Sequence, residues 1–466
     1  TYTPQPTFTP FPTPVPPQRT RYTLVTKLDY AGRFVSVGQT IQYPNKTGQT
    51  LNSLVLAVVP NLWRNCFTLT GVQVNGVLTE AYSLRQHRLE IPLDPPLAPG
   101  AVAKIDMAFT LQVPEIPPAK PSVEKPNIFG YTARQLNLVD WYPFVVPYDP
   151  ATGWVLYDPT SYGEYLVYDI ADYDVILSFE TGLRAESGAG SQGQSQPIPI
   201  VAASGQEQPG PLGSRRYTLT GGRTFALSAS TEYQVVTQDA GGVTVLSYYF
   251  PLYPLAGQAA AQASATALQI FSEKFGPYPH KTLSIVQGDF SDSMEYSALF
   301  FHSKNFYDLY DGTDKSYLVF VAAHETAHQW WFERVGSDQF REPWLDEALT
   351  TYSERLFYEA TNPQSIDSYW LYARIDQYKP EGFIDRPVTG FPGYVAYETG
   401  AYKRGYQFLH ALRQRIGDAD FFAFLSDFAS EMDGKRATTA DFFRILRNNT
   451  QTDFSDITAE FFQTQP

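Results

Sequence analysis

In His324-Glu325-Thr326-Ala327-His328, two imidazoles stand four residues apart around a carboxylate. On a helix turning about 100° per residue both rings project from one face, close enough to share a metal ion, with Glu325 on the same turn. A catalytic zinc takes at least one more protein ligand and keeps a position open for water. The candidate is Glu347, separated from His328 by 18 residues in Trp344-Leu345-Asp346-Glu347-Ala348, at the start of a second helix that could run back antiparallel past the first. With one cysteine, Cys66, the chain can form neither an internal disulfide nor a thiolate-rich site, so a metal must sit on histidine and carboxylate. Cys66 itself reads as a buried small hydrophobe. Each ligand imidazole needs an acceptor for its other N–H, and Asp346, Thr350 and Thr351 are near enough to Glu347 in sequence to serve. His87, His280, His302 and His410 lack partners at metal spacing and read as surface or hydrogen-bonded core residues; His302 is the one that could line a cleft.

The elements that must hold these residues are helical. Spacing predicts helices over 316–334, 346–360, 402–416 and 439–448, the last capped by Thr439, and over 256–275, stopped by Gly276-Pro277. Residues 253–466 therefore read as a mainly α domain. Before them the period is two. Val35, Val37, Ile41 and Tyr43 alternate with polar residues, as do Ile105, Met107, Phe109, Leu111 and Val113, and Val175, Leu177 and Phe179. Asn75-Gly76 is a hairpin signal, 44–48 reads as a turn, and Pro95, Pro96, Pro99 and Gly100 read as breakers. Many short strands joined by turns predict a β-sandwich-like domain over 21–252, with the Gly/Ser/Gln-rich stretch 187–196 as a surface loop inside it.

Residues 1–17 hold seven prolines, five threonines and no charge, a composition that favours extended polyproline II. Residues 1–20 are thus expected to form a stalk or linker, fitting a secreted or cell-envelope-attached protein. Among 466 residues, 43% are hydrophobic and 18% charged, which excludes wholesale disorder. The net charge of −14 argues against a nucleic-acid partner or an anionic membrane surface. No apolar run reaches the length of about 18 residues that a membrane span needs.

These residues resemble the zinc aminopeptidases of the gluzincin group, the family of aminopeptidase N, whose metal motif is His-Glu-x-x-His followed after 18 residues by Glu. Residues 344–348 are similar to the family's Trp-Leu-Asn-Glu-Gly, and Phe275-Gly276-Pro277-Tyr278-Pro279 resembles its Phe-Gly and Pro-Tyr-Pro elements. Tyr397-Glu398-Thr399-Gly400-Ala401 resembles Tyr-x-Lys-Gly-Ala, with Thr399 where the family has lysine. The resemblance covers about residues 20 to 462. It implies a β domain followed by a thermolysin-like catalytic domain, one zinc ion, and peptide substrates with a free N-terminus. It further implies that Tyr397 acts on the transition state and that Glu295 binds the substrate's α-amino group. The family's Gly-Ala-Met-Glu-Asn appears as Asp292-Ser293-Met294-Glu295-Tyr296, which keeps Met and Glu and changes both flanks. The family's C-terminal helical domain is expected to be missing, leaving a more open cleft.

Three functions fit. An aminopeptidase would use Glu295 as the amine anchor, Glu325 as the proton acceptor for water, and His324, His328 and Glu347 as zinc ligands. A thermolysin-like endopeptidase would use the same zinc set in an open cleft. A non-catalytic surface binding module is the third, disfavoured because every metal ligand and Glu325 are present.

Overall fold

Strand alternation builds the first half of the chain. In the computed structural model, which describes residues 19–117, 128–180 and 197–465, the alternating segments form Phe34–Pro44 and Val102–Gln112, paired antiparallel. Their apolar residues fall opposite one another, Val35 on Leu111, Val37 on Phe109 and Ile41 on Ile105, and all six are buried. One face of the sheet therefore lies against the core, as period two requires. The Pro/Thr-rich segment 1–17 and the expected loop at 187–196 lie outside the described residues.

These two strands are central to an eight-stranded sheet in which Thr20–Asp29 and Ala171–Phe179 form the one parallel pair. Two four-stranded sheets share its core, which includes Leu56, Ile91, Leu138 and Leu227. The hairpin signal holds: Asn75 and Gly76 alone separate strands Phe67–Val74 and Val77–Leu78, with φ of 52° and 83°. Positive φ at both turn positions is what matches a tight hairpin to strand twist. Pro95 and Pro96 do not break the chain as expected. Strand Arg88–Leu97 runs through them, and its register slips against Leu51–Ala57, where Leu51 faces Leu97 but Ser53 faces Pro92. A local irregularity accommodates prolines that a regular ladder would reject.

The second half is helical around one sheet of its own. This sheet runs in the order Gln234–Asp239, Thr244–Tyr249, Thr282–Gln287, Leu299–His302, Met294–Tyr296. Strands Gln234–Asp239 and Thr244–Tyr249, on the β-domain side of the expected boundary at 252/253, are hydrogen-bonded into this sheet. Alternation identifies a strand without saying which sheet it joins. Helix Pro254–Phe275 packs with helix Tyr317–His328, which continues as a π-helical turn over Gln329–Arg334. Helices Trp344–Thr361, Gly405–Glu431 and Thr439–Asn449 complete the layer. Gly417, at φ 82°, kinks the long helix where the sequence reading ended it. The cap of the helix at 439 is Thr438, not Thr439: Thr438 and Asp441 form a reciprocal capping box. Among the described residues no helix is long and apolar enough to cross a membrane.

The two units are fastened behind the metal motif. Arg223, fully buried, donates to the carbonyls of Glu333 at 2.9 Å and Lys435 at 2.6 Å, while the Glu333 carboxylate pairs with His280 at 2.7 Å. The far end of the helix carrying His324 and His328 is therefore fixed against the β domain.

Candidate metal centre

Every residue from Leu318 to His328 is buried, so the helix is apolar all round except where its chemistry lies. The rings of His324 and His328 project together, with Nε2 atoms 3.2 Å apart. Asp346 and Glu347 occupy the first turn of helix Trp344–Thr361, where the N-terminal end of the helix favours carboxylates. Glu347 Oε2 lies 3.5 Å from His324 Nε2 and 3.7 Å from His328 Nε2.

The protonation logic selects a cation for this space. His324 Nδ1 lies 2.8 Å from Glu354 and His328 Nδ1 2.7 Å from Asp346. A carboxylate partner calls for the proton on Nδ1, so each ring, in the neutral form that a metal takes, presents a lone pair on Nε2; in the metal-free protein burial opposes a charge on His328, but Glu295, Asp346 and Glu347 hold it well above the usual histidine range, so a metal would replace its second proton. Those lone pairs face Glu347 Oε2, itself buried with no hydrogen-bond partner among the described residues. Three electron-rich atoms that converge without a donor fit a divalent metal, and two imidazoles with one carboxylate are a zinc donor set. Glu295, His328 and Asp346 also lie within ligand reach of one another. Asp346, however, is already engaged by His328 Nδ1 and by Gln339 Nε2 at 2.5 Å, so the first set holds the free donor atoms.

The surrounding side chains set the ligands. Asp346 serves His328, as its sequence position allowed, whereas Thr350 lies 3.3 Å from the same nitrogen and Thr351 has no partner for its hydroxyl among the described residues. The acceptor for His324 is Glu354, which sequence reasoning missed although it follows Glu347 by seven residues, two turns along one helix face. Glu354 is held below the ordinary glutamate range: burial opposes ionisation, and Arg374 at 2.9 Å with His324 more than offsets it. Tyr402 is a second residue missed. Its hydroxyl donates to Glu347 Oε1 at 2.6 Å and its ring lies parallel to His324, centroids 5.9 Å apart.

Glu325 is buried at the metal set with Oε2 unpartnered. Burial pushes its carboxyl well up, His328 opposing, with Glu295 and Glu347 adding to the rise. Glu295 lies on the edge strand Met294–Tyr296, 4.0 Å from His328 Nε2, and accepts from Gln339 at 3.3 Å. Burial pushes it up to about 8 against His328, with Asp346, Glu164 and Glu347 contributing. Tyr397 is brought near but not onto the ligands. Its hydroxyl donates to Glu164 of the β domain at 2.8 Å, and its ring meets Tyr402 edge-on at 5.8 Å.

The remaining histidines stand as expected, away from the metal set. His302 is core, donating to Leu318 O at 2.9 Å and lying 3.3 Å from Ser293 Oγ, so it braces the Glu295 hairpin on the helix bearing the motif. His280 and His87 are hydrogen-bonded and buried, and His410 stacks on Tyr406. Cys66 is buried, its thiol pushed up to about 12 by desolvation.

A β-rich unit is thus joined to a helical unit that brings two histidines, a glutamate and a further carboxylate around one space. Residues 259–461 match the Peptidase family M1 domain. Among curated proteins, human aminopeptidase O is 28% identical over 156 residues, which is 27% of this chain and 19% of that protein. Leucine aminopeptidase 2 of Neosartorya fischeri is 27% identical over 141 residues, 27% of this chain and 23% of that protein. The chain thus matches about a fifth to a quarter of these relatives' length. Among solved structures, the M1 zinc metallopeptidase of Deinococcus radiodurans aligns with TM-score 0.67 and 18% identity, over 96% of this chain and 94% of that one. A variant of it bound to a Tyr-Ser-Ala substrate aligns at 0.65 with 19% identity, covering 96% of each chain. These structures share the two-domain fold.

Proposed function

We propose that this protein is a zinc aminopeptidase that hydrolyses the N-terminal bond of peptides with a free amine. Glu295 carries the reading. It is a buried carboxyl group beside the metal set, 4.0 Å from His328 Nε2, placed where an ionised carboxylate could hold the substrate's ammonium while the neighbouring carbonyl reaches the metal. One zinc ion held by His324, His328 and Glu347 would supply Lewis acidity to the scissile carbonyl and lower the pKa of a water. Glu325, with one oxygen free, takes the proton of the attacking water and passes it to the leaving amine. Tyr397 donates to the oxygen that gains charge as the carbonyl is attacked, exchanging Glu164 for it. Gln339, shared between Glu295 and Asp346, fixes the amine anchor to the ligand helix.

The test is mass spectrometry of one peptide, free and N-acetylated, incubated with zinc-loaded protein and with Glu325→Gln. Stepwise loss of N-terminal residues from the free form alone is the expected result. Internal cleavage of both forms would make the protein an endopeptidase, and no cleavage of either would support a binding module.

A further inference from the structure

We propose that Lys403 is a positioning residue for the reaction: its buried pair with Glu398 locks the turn that carries Tyr397 and Tyr402 onto the metal centre; this rests on the aminopeptidase reading. One short segment holds both tyrosines. Helix Tyr394–Tyr397 runs directly into the π-helical turn Glu398–Arg404. From this segment Tyr397 donates to Glu164 at 2.8 Å and Tyr402 to Glu347 Oε1 at 2.6 Å, so its position sets where both hydroxyls point. The residue that follows seats it on the ligand helix, since a Cβ on Gly405 would lie 2.4 Å from that of Ala348, the neighbour of Glu347. A π turn is wider than the α-helix on either side of it and persists where tertiary contacts hold it.

Lys403 supplies such a contact. Its side chain is fully buried, which a lysine tolerates only when paired. The ammonium donates to Glu398 Oε1 at 2.5 Å and lies 4.0 Å from the centre of the Tyr378 ring. Glu398 and Lys403 are five residues apart, the spacing of the π-helical hydrogen bond, so the pair closes the wide turn from side chain to side chain. Burial pushes the ammonium down to about 8, with Glu398 opposing, so the cation is kept there at the expense of its hydration. The lysine of the Tyr-x-Lys-Gly-Ala pattern is the half-buried Thr399 here, and the buried cation stands four residues later.

The pair is also joined to a metal ligand. Glu398 Oε1 lies 3.7 Å from Arg374, Arg374 lies 2.9 Å from Glu354, and Glu354 lies 2.8 Å from His324 Nδ1. Charges alternate along this chain from Lys403 to the imidazole. Arg374 also lies over the ring of Phe320, one turn before His324, at 5.8 Å. The turn bearing the tyrosines is thereby held in register with the helix bearing the histidines. In Lys403→Met the volume stays apolar and filled, Glu398 keeps Arg374 at 3.7 Å, and the side-chain closure of the π turn is lost.

The experiment measures kcat and KM of the zinc-loaded protein on one peptide, free and N-acetylated, for wild type, Lys403→Met, Glu398→Gln and the double variant, with rates scaled to bound zinc and thermal unfolding run beside them. Lys403→Met is expected to lower kcat by about 10- to 100-fold with KM little changed, because the amine anchor Glu295 lies on another element while the tyrosines are displaced. Glu398→Gln breaks the same pair from its less buried side and is expected to do the same. The double variant is expected to lose no more than the worse single variant, since both act through one contact. A lysine that only stabilises the fold would lower the unfolding temperature and leave kcat per bound zinc at the wild-type value. That result, losses that multiply in the double variant, or a raised KM with kcat unchanged would overturn the role of Lys403 with the aminopeptidase reading intact. Internal cleavage of both peptides by the wild type would overturn the aminopeptidase reading, with the variant-to-wild-type ratio of kcat still deciding for or against Lys403; cleavage of neither would overturn both.

Discussion

Replacing Glu354 by glutamine loosens the metal centre without touching a ligand. Glu354 is fully buried and receives His324 Nδ1 at 2.8 Å, Arg374 at 2.9 Å and Trp370 Nε1 at 3.1 Å, so every neighbour is a donor. In Glu354→Gln the shape is kept, but one oxygen becomes an NH₂ group facing donors. If His324 loses its acceptor, the ring tilts or moves its proton to Nε2, the nitrogen that faces Glu347. Loss of such a partner behind a metal ligand costs about 10- to 100-fold in affinity, which is ~1.4–2.7 kcal/mol. The assay is zinc titration of the metal-stripped protein against a chromogenic chelator, wild type beside Glu354→Gln. Thermal unfolding of the stripped proteins separates a second effect. Arg374 loses its main counter-ion, although Glu398 remains at 3.7 Å, so the stripped variant is less stable as well. A folded Glu354→Gln protein with wild-type zinc affinity would refute the orienting role of Glu354.

Four other substitutions probe the account. Glu325→Gln is expected to retain zinc and lose about 10²- to 10⁴-fold in kcat; zinc lost together with activity would make Glu325 structural. Tyr397→Phe is expected to lower kcat by about 10²-fold or more with KM little changed, and an unaltered kcat would remove Tyr397 from the reaction. Gly405→Val forces a Cβ to 2.4 Å from that of Ala348, beside Glu347, and is expected to cost about 1–3 kcal/mol by urea unfolding, largely recovered in the double variant with Ala348→Gly. His302 is held at about 4 by burial, opposed by its bond to Leu318, while its ordinary value is 6.5. The unfolded chain therefore binds the extra proton between these values, so its contribution to stability is present above pH 6.5 and is lost toward pH 4, on the order of 3 kcal/mol. His302→Gln is expected to flatten that acid slope, and an unchanged slope would place the titration elsewhere.

What could be read from the chain depended on whether the signal was local. The pair His324 and His328 follows from helical periodicity, Glu347 was a candidate from its place at the start of a second helix and from the family's spacing, and Asp346 from its nearness to Glu347; the structure brings all four together. Glu354 obeyed the same periodicity two turns further on and was legible in principle. Tyr402 and Glu164 were not, because each meets its partner only through tertiary packing, Glu164 across 233 residues of sequence. Strands 234–249 show the same limit, since their pattern reports burial of one face while sheet membership depends on the parallel neighbour Thr282–Gln287. At Pro95 and Pro96 a slipped register overrode a local rule that holds for regular ladders. The cap shifted from Thr439 to Thr438 because Asp441 completes a capping box only with the earlier threonine.

The metal set is tested most directly by anomalous diffraction at the zinc edge from crystals of the zinc-loaded protein. One peak bounded by His324 Nε2, His328 Nε2 and Glu347 Oε2 is the expected result. A peak among Glu295, His328 and Asp346 instead, or no peak at either place, would contradict the assignment on which the function rests.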